Sequence, residues 1–345
     1  MLYKKIKDPT LSAELFKNPT SEYRGTPFWA WNCKLNKELL TRQIEYLKEM
    51  GFGGFHMHSR SGMATEYLSE DFFELVKACA DKAKKEDMLA YLYDEDRWPS
   101  GSAGGLLTKD KKNRQRYIIF TKNTEENHAD MKTAYETGET CHIASFKVEL
   151  NKDGTLKSYE KTDEAPGAWN VYFKTCGDDP WYNDQAYADT LNGDVTDKFI
   201  ELTYGSYKKA VGEEFNKTVP SIFTDEPQYM QIGNLAFASD DSDVRLPWTW
   251  NFADTFKEKY GENINGRLPE IIWDMPNGEP NRIRYCYIDH VCERFVGGFA
   301  DKCGKWCEEN GICFTGHVLL EETLGSQTGA VGEAMRNYRT FGLPG

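Results

Sequence analysis

Apolar residues along this chain recur with two alternating periods, and the alternation sets out its elements. Pro27-Phe28-Trp29-Ala30-Trp31-Asn32 is a short apolar run closing on Asn, which predicts a strand. Asn36 then offers an N-cap, Leu40, Ile44 and Leu47 form one helical stripe, and Gly51 supplies a stop. Phe52 to His58 predicts a second strand, whose period of two turns His56 and His58 to one side. Ser69 caps a second helix with Glu70 and Asp71 in its first turn and Phe72, Val76, Cys79 and Ala83 inward. Met88 to Tyr93 predicts a third strand, followed at once by Asp94, Glu95 and Asp96.

Strand-helix repeats of roughly 35 residues, each strand ending in polar or ionisable groups, are the pattern of a parallel (β/α)8 TIM-type barrel. An open nucleotide-binding sheet would place GxGxxG after the first strand. Gly101-Ser102-Ala103-Gly104-Gly105 is the nearest imitation, and it follows the third strand with the wrong spacing.

From Tyr117 the period becomes that of short strands: Ile143–Leu150, Leu156–Glu160 and Asn170–Phe173, with a turn at Asn151-Lys152-Asp153-Gly154. Residues 116–190 therefore read as an antiparallel β insertion. Helical spacing resumes near Asp194 and leads into Ser221-Ile222-Phe223-Thr224-Asp225-Glu226-Pro227, an apolar strand that ends in two carboxylates and a proline. Helices are predicted at Trp250–Tyr260 and at Pro280–Glu309, the latter with Tyr285, Ile288, Cys292, Phe295, Phe299 and Trp306 on its apolar seam. Gly311 to His317 predicts a fifth strand. The organisation expected is a surface segment at 1–20, three barrel strands in 21–115, the insertion at 116–190, and the barrel continuing through 191–345. Five strands fall short of the eight that closure takes, so the barrel is expected to be incomplete.

Charge and composition narrow the function. The 345 residues carry a net charge of -13, which argues against nucleic acid as a partner. The densest basic run, Lys109 to Lys112 with Arg114 and Arg116, reads as a solvated loop or helix end. No apolar run approaches the ~18 residues of a membrane span, and Met1 to Phe16 has no signal-peptide character, which predicts a cytoplasmic protein with no membrane partner. Nine cysteines without a CxxC pair predict reduced thiols; Cys303 and Cys307, one helical turn apart, read as packing rather than a metal pair. Aromatic residues make up 14% of the chain, and the flat faces of Trp and Tyr suit sugar rings as well as large cores.

Collected at the predicted strand ends are Asn32, His56, His58, Asp94, Glu95, Asp96, Asp225, Glu226, His317 and Glu321. Two carboxylates can cleave a glycosidic bond, one protonating the leaving oxygen and the other activating water or attacking the anomeric carbon. Glu226 is the expected acid, because Asp225 beside it and partial burial would both raise its pKa. His56, His58, Asp94 and Trp98 would hold the sugar. Alternatively, His56, His58 and His317 would bind a divalent metal that activates water, or the chain is a carbohydrate-binding fragment without turnover.

Taken together, Pro27 to Asn32, Gly51-Phe52-Gly53-Gly54-Phe55 with His58-Ser59-Arg60-Ser61-Gly62, Tyr93 to Gly101, Thr224-Asp225-Glu226-Pro227 and Gly316 to Glu321 resemble the α-L-rhamnosidases of glycoside hydrolase family 106 and their uncharacterised relatives. The most specific block is Asp94-Glu95-Asp96-Arg97-Trp98-Pro99-Ser100-Gly101. The resemblance implies a (β/α)8 barrel, an inverting mechanism, hydrolysis of an α-L-rhamnoside or a related oligosaccharide, and a calcium ion at the sugar site. It places Glu226 as general acid and Glu321 as candidate base, with Asn32, His56, His58, Arg60, Asp94, Glu95, Trp98, Asp225 and His317 binding substrate.

Overall fold

A computed structural model describes residue 10 and residues 12–344. The first three strands are β1 (Phe28–Trp31), β2 (Gly54–Ser59) and β3 (Leu89–Tyr93). Next come β4 (Arg116–Thr121), β5 (Cys141–Leu150), β6 (Leu156–Thr162) and β7 (Trp169–Thr175), then β8 (Ser221–Asp225), β9 (Val244–Trp248), β10 (Cys313–His317) and β11 (Leu343–Pro344). They form two sheets. One is parallel, in the order β1-β2-β3-β8-β10-β11; the other is antiparallel, in the order β6-β5-β7-β4-β9.

The helices between the parallel strands form where their stripes and caps predict. Asn36 accepts a hydrogen bond from the Leu39 N–H to start Lys37–Glu49, and Ser69 accepts one from Phe72 to start Glu70–Lys85. Both helices bury the predicted stripe: Leu40, Ile44 and Leu47 in the first, Phe72, Val76, Cys79 and Ala83 in the second. The second packs on β3 and against Tyr204–Val211. Each fully buried Leu, Ile or Phe contributes about 1.5–3 kcal/mol, which is why this layer holds the sheet in place.

The parallel sheet has six strands where five were expected and eight close a barrel. The sixth is β11, a two-residue strand in which Leu343 pairs with Thr315. Among the described residues β1 and β11 are the outer strands, so the structure bears out a parallel strand-helix sheet but shows no closed (β/α)8 barrel. Packing between β8 and β10 is tight enough to demand glycine. Gly316 has φ +148, and a Cβ there would lie 2.0 Å from the Thr224 carbonyl oxygen.

Three readings change. The antiparallel sheet takes its fifth strand from Val244–Trp248, beyond β8, where Ile118 pairs with Leu246 and Pro247 is tolerated because β9 is an edge. Arg116 is not solvated: it is 1% exposed, and its guanidinium donates to the carbonyls of Lys111 and Tyr135 at 2.7 and 3.0 Å. The long helix, Arg282–Glu309, contains a π turn at Val296–Ala300. Its buried row is Ile283, Tyr287, Val291, Phe295, Phe299, Cys303 and Cys307, while Tyr285 is exposed. A row stepping by four drifts ~40° per step on an α-helix, and the wider π turn takes part of that drift back.

All nine cysteines are free thiols, and Cys303 and Cys307 are packed in apolar surroundings that push both thiols up. Among the described residues no helix is long and apolar enough to cross a membrane.

Candidate active site

Strand alternation builds the floor of the site. On β2, Phe55 and Met57 face the helices, whereas His56 and His58 face the other side and meet Phe28 at 5.1 and 4.7 Å between ring centroids. His56 stacks on Tyr91 at 4.6 Å, and His58 leans on Tyr93 at 4.2 Å. Phe223 of β8 sits at the centre, in contact with Phe28, His56, Tyr93 and His317.

Ionisable groups ring this aromatic floor at the carboxyl ends of the strands. Asp225 and His317 are register partners on β8 and β10. Tyr93 donates its hydroxyl to Asp225 Oδ2 at 2.7 Å, and His58 Nε2 lies 4.0 Å from the same oxygen. His58 is buried, and its Nε2 has no hydrogen-bond partner within the protein. Burial holds both imidazoles far below the usual histidine range, at about 4, with Arg60 adding to the effect on His58. At neutral pH both are uncharged hydrogen-bonding groups. Burial raises the pKa of Asp225, against the Tyr93 hydrogen bond and the nearby His317 and Arg60; Arg60 is exposed at the rim, and Asn32 is exposed at the end of β1.

Glu226 is half-buried one residue beyond β8. Its backbone has φ +49, unusual for a residue with a side chain, and its N–H donates to the His317 carbonyl at 3.3 Å. One carboxylate oxygen accepts the Trp98 indole N–H at 2.5 Å. Burial raises its pKa, the Trp98 bond opposes that, and the charges of Asp225 and Glu321 raise it further. Glu321 therefore lies within electrostatic reach of Glu226. It follows Leu320, also left-handed at φ +54, and one of its oxygens accepts the Tyr338 hydroxyl.

Asp94 and Glu95 do not line this site, contrary to expectation. Both are 0% exposed. Asp94 accepts from Ser100 Oγ at 2.5 Å and Tyr204 Oη at 2.8 Å, and burial pushes it up to about 7. Ser100 in turn accepts the Asp225 N–H at 2.7 Å, so Asp94 supports Asp225 from behind. Glu95 accepts the N–H groups of Asp96, Gly101, Ser102, Ala103 and Gly104. It shapes the loop that carries Trp98 and offers no oxygen to a sugar; burial pushes it up to about 7 against the pull of those donors.

Tyr93 and Tyr338 were missed. Tyr93 was legible as the inward neighbour of Tyr91 on a period-two strand, whereas nothing local ties Tyr338 to a carboxylate 17 residues earlier.

Asp225 accepts from Tyr93, Glu226 from Trp98 and Glu321 from Tyr338, and among the described residues no three His, Cys, Asp or Glu side chains, His56, His58 and His317 included, converge to hold an ion. His290 bonds Thr255 at 2.9 Å inside a helical layer, and His128 pairs with Glu164 at 2.8 Å beside the antiparallel sheet.

No family model matches the chain, and no curated protein matches it. Solved structures do. A rhamnosidase from Novosphingobium sp. PP1Y superposes with a TM-score of 0.61 at 11% identity, covering 95% of this chain and 48% of its own, so the chain spans about half that protein's length. An isomaltulose synthase from Klebsiella sp. LX3 covers 87% of this chain and 46% of its own at 13% identity, with a TM-score of only 0.32. The chain therefore shares with that rhamnosidase a fold built of a parallel sheet with helices and an antiparallel sheet.

Proposed function

We propose that the chain hydrolyses an α-L-rhamnoside or a related oligosaccharide, with Glu226 as general acid and Glu321 as base. The observation that carries this reading is the pair of carboxylates just beyond the adjacent strands β8 and β10, held in unlike surroundings. Glu226 is half-buried with two negative neighbours that favour its protonated form. Unlike environments on two nearby carboxyls are what separate an acid from a base.

In the inverting scheme, Glu226 gives its proton to the leaving oxygen as the glycosidic bond breaks. Glu321 takes a proton from the water whose oxygen bonds the anomeric carbon from the opposite face. Asp225 and the neutral His56 face the hydroxyls, and Phe28 offers an aromatic face at the floor. His58 Nε2 lies 4.0 Å behind Asp225 Oδ2, so the buried neutral imidazole backs the carboxylate rather than reaching the sugar itself.

A panel of 4-nitrophenyl glycosides tests the proposal. Turnover is expected with the α-L-rhamnoside. On an α-L-rhamnosyl-glucose disaccharide, whose leaving oxygen needs the proton, kcat/KM should fall as pH rises through the raised pKa of the acid. It should fall again as pH drops through about 4, where His56 and His58 acquire charge and lose an acceptor. A folded sample that binds glycosides and cleaves no member of the panel would make the chain a carbohydrate-binding module instead.

A further inference from the structure

The segment between the two sheets brings one more aromatic residue to the site. Trp181 lies in the short turn Pro180–Tyr182, where Asp179 Oδ1 accepts the Trp181 N–H at 2.8 Å. The turn is fastened on both sides. Asn183 Nδ2 donates to the Trp98 carbonyl at 3.0 Å, and Tyr182 stacks on Tyr187 at 4.6 Å with the rings 13° apart. Tyr187, fully buried, bonds through its hydroxyl to the Ser100 carbonyl.

Trp181 itself remains 56% exposed, although it is held beside the site. It meets Trp98 edge-on at 5.2 Å and 78°, and Trp98 is the residue whose indole N–H reaches Glu226. An indole held in place with more than half its surface in water leaves apolar area uncovered, at about 25 cal/mol per Å2. Its placement says which part of a substrate would cover it. The sugar to be cleaved belongs over the aromatic floor with His58 and Asp225, and a general acid sits beside the leaving oxygen. Outward from Glu226, past Trp98, is the leaving-group side.

We propose that Trp181 forms the leaving-group subsite and that the group it takes is a flat ring with an apolar face, either an aromatic aglycone or the C–H face of a second sugar. This rests on Glu226 being the acid. It also gives the segment after β7 a direct part in specificity.

The test is calorimetric titration of the 345-residue chain carrying Glu226→Gln and Glu321→Gln, so that no ligand is turned over whatever its leaving group, with Trp181 intact, as Trp181→Ala and as Trp181→Phe. The ligands are methyl α-L-rhamnoside, 4-nitrophenyl α-L-rhamnoside and an α-L-rhamnosyl-glucose disaccharide. Trp181→Ala is expected to weaken the nitrophenyl glycoside about tenfold, as loss of one stacked ring does, and the methyl glycoside less than about twofold. Trp181→Phe should recover most of the loss. A parallel loss for the disaccharide would assign a sugar face, and a loss confined to the nitrophenyl glycoside an aromatic aglycone. Equal effects on all three ligands, or none, would overturn the subsite while leaving the glycosidase reading intact. Binding of no ligand by the Trp181-intact protein would overturn that reading, and the subsite with it.

Discussion

Glu226→Gln is expected to lower kcat by about 10^3-fold on a substrate whose leaving group needs a proton, because general acid catalysis contributes ~10^2–10^4. Glutamine keeps the shape and can still accept the Trp98 indole N–H that Glu226 accepts at 2.5 Å, so binding and stability should change little. The loss should also depend on the leaving group. A rhamnosyl-glucose disaccharide departs as an alkoxide unless protonated and should show the full effect, whereas a 4-nitrophenyl glycoside departs as a stabilised phenolate and should lose much less. Steady-state kinetics on both substrates separates this from any other role for the residue. Equal losses on the two would mean that Glu226 positions or binds and does not donate the proton.

Glu95→Gln is the second large effect, and it acts on the loop rather than on the sugar. The carboxylate accepts five backbone N–H groups, three on one oxygen and two on the other. An amide nitrogen in place of either oxygen turns a donor toward at least two buried donors. Leaving a buried donor unpaired costs ~1–3 kcal/mol, so a loss of about 3 kcal/mol in unfolding free energy is expected by urea titration. Activity should fall further than the unfolded fraction explains, since the same loop brings Trp98 to Glu226 and Ser100 to Asp225. A change below about 1 kcal/mol would show that the loop stands without the carboxylate.

Much of this architecture is written locally. Asn36 and Ser69 cap their helices, and His56 and His58 share a face, because caps and strand alternation depend on residues within one turn or two positions. The carboxylates beyond β8 and β10 were legible for the same reason: an apolar run that stops at ionisable groups marks a strand end. The sequence by itself therefore determined the order of parallel strands and helices, the polar strand ends and Glu226 as the expected acid, while Glu321 came as its partner through the family resemblance.

Tertiary structure decided which charges line the candidate site. Glu95 and Asp96 are consecutive acids that look alike in sequence, yet one is sealed beneath a loop by five N–H groups and the other pairs with Arg97 at 2.9 Å. Arg116 looked like part of a solvated basic run and proved to be buried, because β9 arrives more than a hundred residues later to complete the sheet around it. Tyr338 reaches Glu321, and Trp181 reaches Trp98, only through packing between elements remote in the chain. Burial and partner choice are properties of where distant segments meet, and hydrophobic periodicity carries no information about distance across the fold.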